Sequence, residues 1–135
     1  MSEFYNIDTI IRSESALVEA LREMGYNPKV HNVAQNLYGY QGDKREQVAH
    51  IIIPRNQISY ASNDIGFERM SNGKYKMHIC EYDINIKSFN EGRLKQLYAK
   101  YNILKVVNLK SKYRLKKQTE EKDGRIRIRL SRSNF

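Results

Sequence analysis

Along this chain the apolar positions keep two rhythms, one of period two and one near 3.6, which replace each other several times. Residues 4–12 are dense in β-formers and predict a first strand. Behind Ser13, a residue suited to capping, Leu17, Ala20, Leu21 and Met24 recur at the i, i+3, i+4, i+7 spacing of one buried helix face. Gly25 ends that helix and Pro28 forbids its continuation. The middle of the chain returns to period two. Residues 30–33 and 37–40 read as extended pieces, followed by a Gln-Gly-Asp turn, and 48–53 as a strand closed by Pro54. Residues 64–69 and 74–82 make a hairpin around Asn72-Gly73. A second helix starts at Ser88, with Glu91 completing a capping box, and buries Phe89, Leu94, Leu97, Tyr98 and Tyr101. Asn102 can break or re-cap it before a further turn or two to Lys110, and a last hairpin occupies 113–131.

The expected fold is one α+β domain spanning residues 1–135. It has a mostly antiparallel sheet of five or more strands and two main helices, about 13–25 and 88–101 with room to extend to 111, on one face. A C-terminal β-hairpin completes it. Leu17, Leu21, Ile52, Phe67, Leu94, Leu97, Ile126 and Ile128 are its expected core. With 40% apolar and 29% charged residues the chain is globular rather than disordered. No apolar run approaches a membrane span, and one cysteine, Cys80, excludes an intrachain disulfide. A soluble protein of the cytoplasm, a plastid stroma or a virus-infected cell is the expectation.

Charge changes the picture once it is located. The net charge is +9, yet residues 1–86 hold 9 Lys/Arg against 11 Asp/Glu, whereas 87–117 hold 10 Lys/Arg and only Glu91. Such asymmetry points to a polyanionic partner; the competing reading is a lysine-rich solvated face. Arg93, Lys95, Lys110, Lys112, Lys116, Lys117, Arg125 and Arg129 are the candidate nucleic-acid contacts.

Other candidates offer less. His78 and Cys80, two apart on a strand, share a side, but a structural zinc site needs four ligands at recognisable spacings. Asp64, Glu68, Glu81 and Asp83 lie in or beside one hairpin, where paired carboxylates could do acid–base work; solvated strand ends carry such residues too. There is no phosphate-binding glycine loop and no nucleophile elbow, so no catalytic residue, metal or cofactor is expected. Tyr38, Tyr40 and Tyr60, among ten tyrosines, could stack on bases, although the Arg-Gly-Phe signature of RNA-recognition motifs is absent.

In KDGRIRIRLSR, Arg125, Arg127 and Arg129 alternate with Ile126, Ile128 and Leu130. A two-residue Asp123-Gly124 turn would set Arg127 opposite Glu120, Arg129 opposite Gln118 and Leu130 opposite Lys117. The arginines would face solvent and deter edge-to-edge association, with phosphate contact as a permitted second use.

The opening MSEFYNIDTIIRSESALVEALREMGY, then YGYQG, DIGFERMSNGKY and the closing DGRIRIRLSR resemble, in that order, the hypothetical chloroplast reading frame thirty-five family of plastids and cyanobacteria. That family is uncharacterised and is also a numbered domain of unknown function. It tends to follow the central hairpin with a Trp-rich segment, where this chain has Glu81-Tyr82-Asp83, and it is less basic after the second helix. The resemblance implies the α+β fold and a small intracellular accessory protein, of a plastid or a virus, with no site residues to carry over. The leading functional expectation is a non-catalytic module binding nucleic acid through residues 87–132. Its rival is an adaptor that docks an acidic protein or a partner's strand on a sheet edge.

Overall fold

The computed structural model describes residues 3–110, 113–120 and 126–132, with side chains placed for 3–7 and 9–107. It is an α+β chain whose described part comprises two compact units. The first unit (residues 1–12 and 25–90) is built on five antiparallel strands: β1 (Phe4–Asp8), β2 (Lys29–Tyr38), β3 (Lys44–Ile53), β4 (Ile65–Arg69) and β5 (Tyr75–Cys80). Their order is β1-β5-β4-β3-β2, with β1 and β2 at the edges.

Register divides the sheet into two faces. Ile51 pairs with Phe67 and Phe67 with Met77, and these together with Ile53, Ile65 and Ile79 form one buried apolar face. On the other, Ile52 pairs with Gly66, Gly66 with His78 and His78 with Asn6. This second face is curled. In a flat sheet β1 and β3, three strand spacings apart, would lie roughly 14 Å from each other. Yet Phe4 of β1 packs against Leu37, Ala49 and Ile52, and the Arg45 guanidinium sits 5.3 Å from the Phe4 ring centre. Gly66, on the middle strand, permits the curl: a Cβ there would fall 2.6 Å from the Ala49 Cβ and 2.8 Å from Leu37 Cδ2.

Several expectations needed correction. The two extended pieces at 30–33 and 37–40 are one strand, β2, with register shifts between Val30 and Gln35 and again near its end. The central hairpin does form around Asn72-Gly73 as expected, with Gly73 at φ +83, the Met70 amide donating to the Lys74 carbonyl and the Lys74 amide to Asn72 Oδ1. Beyond it the strand stops at Cys80, where a short helix α2 (Glu81–Asn85) begins because Asp83 turns inward.

The second unit (residues 13–24 and 91–135) contains α1 (Glu14–Glu23), α3 (Glu91–Lys110) and a separate hairpin of β6 (Tyr113–Glu120) and β7 (Ile126–Arg132). Ser13 caps α1 through the Ala16 amide, as expected, and Gly25 follows its end at φ +99. The capping box at Ser88 does not form. Its hydroxyl is taken by Asp83, and α3 starts only at Glu91, then continues unbroken through Asn102. Leu17, Leu21, Ile52, Phe67, Leu94 and Leu97 are buried, as their spacing predicts; the side chains of Ile126 and Ile128 lie outside the described residues. Among the described helices none is long and apolar enough to cross a membrane.

Gly66→Ala is expected to cost about 1–3 kcal/mol, as overpacking of a filled core does, and Leu97→Ala about 2–5 kcal/mol. Urea denaturation of the two variants checks both values. A Gly66→Ala protein as stable as the parent would show that the concave face has room to spare.

Candidate nucleic-acid interface

The second unit gathers the positive charge. Its residues include 15 Lys/Arg and 7 Asp/Glu, a net of +8, which leaves +1 for the first unit. The α1–α3 pair shows how part of that charge is balanced. Tyr98, buried on α3, accepts the Ser13 amide at 3.0 Å, and Lys105 donates to the Ser13 hydroxyl at 3.2 Å. At the other end of α1, Glu23 accepts from Lys100 at 2.9 Å and from the Tyr101 hydroxyl at 2.7 Å, with Arg93 at 3.8 Å. Partial burial works to raise the Glu23 carboxyl, but the hydrogen bonds from Lys100 and Tyr101 hold it below its ordinary value. The same bond pushes the Tyr101 phenol up to about 12, because ionising it would place an anion beside Glu23.

Two of the eight predicted contacts therefore have acidic neighbours: Arg93 meets Glu23, and Lys95 meets Glu91 at 3.1 Å, one turn along α3. Lys110 is the last residue of α3, Lys116 sits at the register shift of β6, and Lys117 and Arg129 are ladder positions, their side chains outside the described residues. Lys112 and Arg125 lie wholly outside them, as does the expectation that the arginines face solvent.

The hairpin's register is one residue away from the sequence-based expectation. Arg127 pairs with Thr119 rather than Glu120, and Arg129 with Lys117 rather than Gln118. Five residues separate the paired Glu120 and Ile126, an odd number that a two-residue turn cannot supply. A further register shift between Leu115 and Lys117 sets Leu115 opposite Leu130, an apolar match that the expected register lacked.

In the first unit His78, Cys80, Asp64, Glu68 and Asp83 are consumed by structure, whereas Glu81 and Tyr60 stay exposed. His78 is buried, with Nδ1 on the Asn6 amide oxygen and Nε2 at 2.9 Å from Glu68. Cys80, two residues on, is committed elsewhere: its thiol donates to Asp83 Oδ2 at 2.8 Å, and burial followed by that bond pushes the thiol up, so it stays protonated. Asp83 also accepts from Ser62 and Ser88. No group of three or more metal-ligating side chains occurs among the described residues. Asp64 caps backbone: its carboxylate accepts the Tyr38 and Arg55 amides at 2.8 Å each. Burial raises its carboxyl, opposed by those two amides and by the Arg55 charge.

Asn63 was not singled out from sequence. It is fully buried and accepts the Tyr40 amide at 2.9 Å, so Asn63 and Asp64 together tie the 59–64 loop to the Tyr38–Tyr40 turn. The only signal in sequence was a polar pair directly ahead of the apolar Ile65-Gly66-Phe67.

Residues 20–129 match the model of the family described as "Protein of unknown function (DUF1257)". The chain belongs to this family. No curated protein and no solved structure matches it. The DUF1257 match runs from within α1 to β7 and so takes in both units.

The Glu23–Tyr101 bond predicts a pH signature. Because the phenol is raised from 10.0 to about 12, the bond's contribution is complete below pH 10 and is lost as pH climbs through about 12. The lowered Glu23 carboxyl contributes above its ordinary 4.5 and is lost as pH falls through its folded-state value. Glu23→Gln should return Tyr101 towards 10, read by NMR of ring-labelled tyrosine. An unmoved titration would mean that the two groups do not interact in solution.

Proposed function

We propose that this DUF1257 protein is a non-catalytic accessory module that binds nucleic acid through the basic residues of its second unit. The observation that carries the proposal is the pairing of Lys117 with Arg129 in the β6–β7 ladder, two residues from the pairing of Thr119 with Arg127. Like charges directly opposite each other destabilise a strand pair, and a phosphate relieves that repulsion. Residues 105–117 add six Lys/Arg with no acid among them. Arg93 and Lys100 already share Glu23, which moves the expected phosphate contacts towards Lys110, Lys112, Lys116, Lys117, Arg125 and Arg129. The resemblance to the hypothetical chloroplast reading frame thirty-five family is consistent with such an accessory role and belongs to the same proposal.

An adaptor role has its own support in an open groove of about 430 Å³ beside the edge strand β1. It is lined by Tyr5, Asn6, Ile7, Glu81, Ile84 and Asn85, a mostly apolar surface with one acid, Glu81. A partner strand added to β1 would lie along it.

Titration against single- and double-stranded RNA and DNA at two salt concentrations separates the readings. Nucleic-acid binding should weaken with salt at a log–log slope of roughly −0.7 to −0.9 per phosphate contact, and reversing Lys110, Lys112, Lys116 and Lys117 to Glu should flatten that slope. Binding untouched by the four reversals would hand the lead to the adaptor.

A further inference from the structure

We propose that the first unit carries a separate platform for unpaired nucleotides, centred on Tyr60 and Arg55. The inference rests on the nucleic-acid reading and goes beyond it, because it names a second contact surface and the form of nucleic acid it takes.

Tyr60 is 93% exposed, far more than a large aromatic ring needs to be in a folded chain. It does not hang on a loose loop. The turn that carries it is closed by the Ser62 amide on the Ser59 carbonyl at 3.2 Å and by the two serine hydroxyls at 2.7 Å. Ser62 is anchored to buried Asp83, and Asn63 and Asp64 bind the amides of Tyr40 and Tyr38. The ring is thus held out on a tip whose backbone is fixed from both sides, so binding to it costs little ordering entropy. Tyr38, 46% exposed, and the partly exposed Tyr40 stand on the neighbouring turn that Asn63 and Asp64 tie down.

Arg55 supplies the second half of the argument. Its guanidinium spends one N–H on the Tyr40 carbonyl at 3.1 Å, and its remaining donors have no hydrogen-bond partner among the described residues. Asp64 offsets part of its charge but is occupied by two backbone amides. The Ser59 amide, next to Tyr60, donates to the Arg55 carbonyl at 3.3 Å, so one short loop carries both an exposed ring and a guanidinium with donors to spare. That pairing suits a ligand with a planar π-face and an anion, which is a nucleotide. A duplex keeps its base faces stacked inside, so the nucleotide must be unpaired. A protein partner is less well served: the residues flanking Tyr60, Ser59, Ala61 and Ser62, are small and add no large apolar side chain to the tip.

The test uses the full chain and fluorescence anisotropy with labelled oligouridylate of about ten nucleotides, and an RNA duplex of equal length, against Tyr60→Ala and Tyr60→Phe. Tyr60→Ala should weaken single-strand binding roughly 5- to 150-fold, the range that stacking one base supports, and leave duplex binding and the melting temperature in place. Tyr60→Phe should restore the single-strand affinity, since the ring face and not the hydroxyl is used. Equal single-strand affinity for parent and Tyr60→Ala, or an equal loss on duplex, overturns the platform while leaving the basic hairpin's role to the charge-reversal variants. A parent protein that binds neither oligonucleotide overturns both.

Discussion

Everything in the first unit is arranged around a missing side chain. Gly66 lies on the central strand of five, and the space its Cβ would take is filled by Ala49 and Leu37. That close approach lets the sheet curl until Phe4, from one edge strand, packs on Leu37, Ala49 and Ile52 from the far side. The curl has a consequence for polar groups. It encloses His78 on the concave face, where an unpaired imidazole would be costly, and Asn6 and Glu68 from the flanking strands meet its two nitrogens.

The same accounting explains the loop between β3 and β4. Its buried polar residues Ser62, Asn63, Asp64 and the later Asp83 are each spent on a backbone amide, a hydroxyl or a thiol. Asp64 and Asp83, which looked like candidate acid–base groups in sequence, thereby become brackets that hold turns in place. What such bracing leaves at the surface is a tyrosine on a fixed tip and an arginine with donors to spare, a stiff scaffold presenting a few groups outward.

In the second unit the balance is electrostatic. Glu23 draws Arg93, Lys100 and Tyr101 to one end of α1, joining the two helices there. Beyond that acid and Glu91, the sequence from 105 to 117 carries six Lys/Arg and no acid. There the ladder sets lysine against arginine instead of against acid.

Sequence alone determined what depends on neighbours close along the chain. Ser13 and Gly25 bound the first helix, Asn72-Gly73 turns the central hairpin, and the periodic apolar residues Leu17, Leu21, Leu94 and Leu97 are buried, because caps, turns and helix faces are set within a few residues. What only tertiary structure decided depends on partners that no local pattern names. Ser88 looks like a cap until Asp83 takes its hydroxyl, and Asn63 looks like loop until the Tyr40 amide reaches it. Arg127 seemed matched to Glu120 until the hairpin's register slipped by one residue. Strand order and the curl across Gly66 belong to the same class: a local pattern says which face a residue takes, and only the packed chain says what stands opposite.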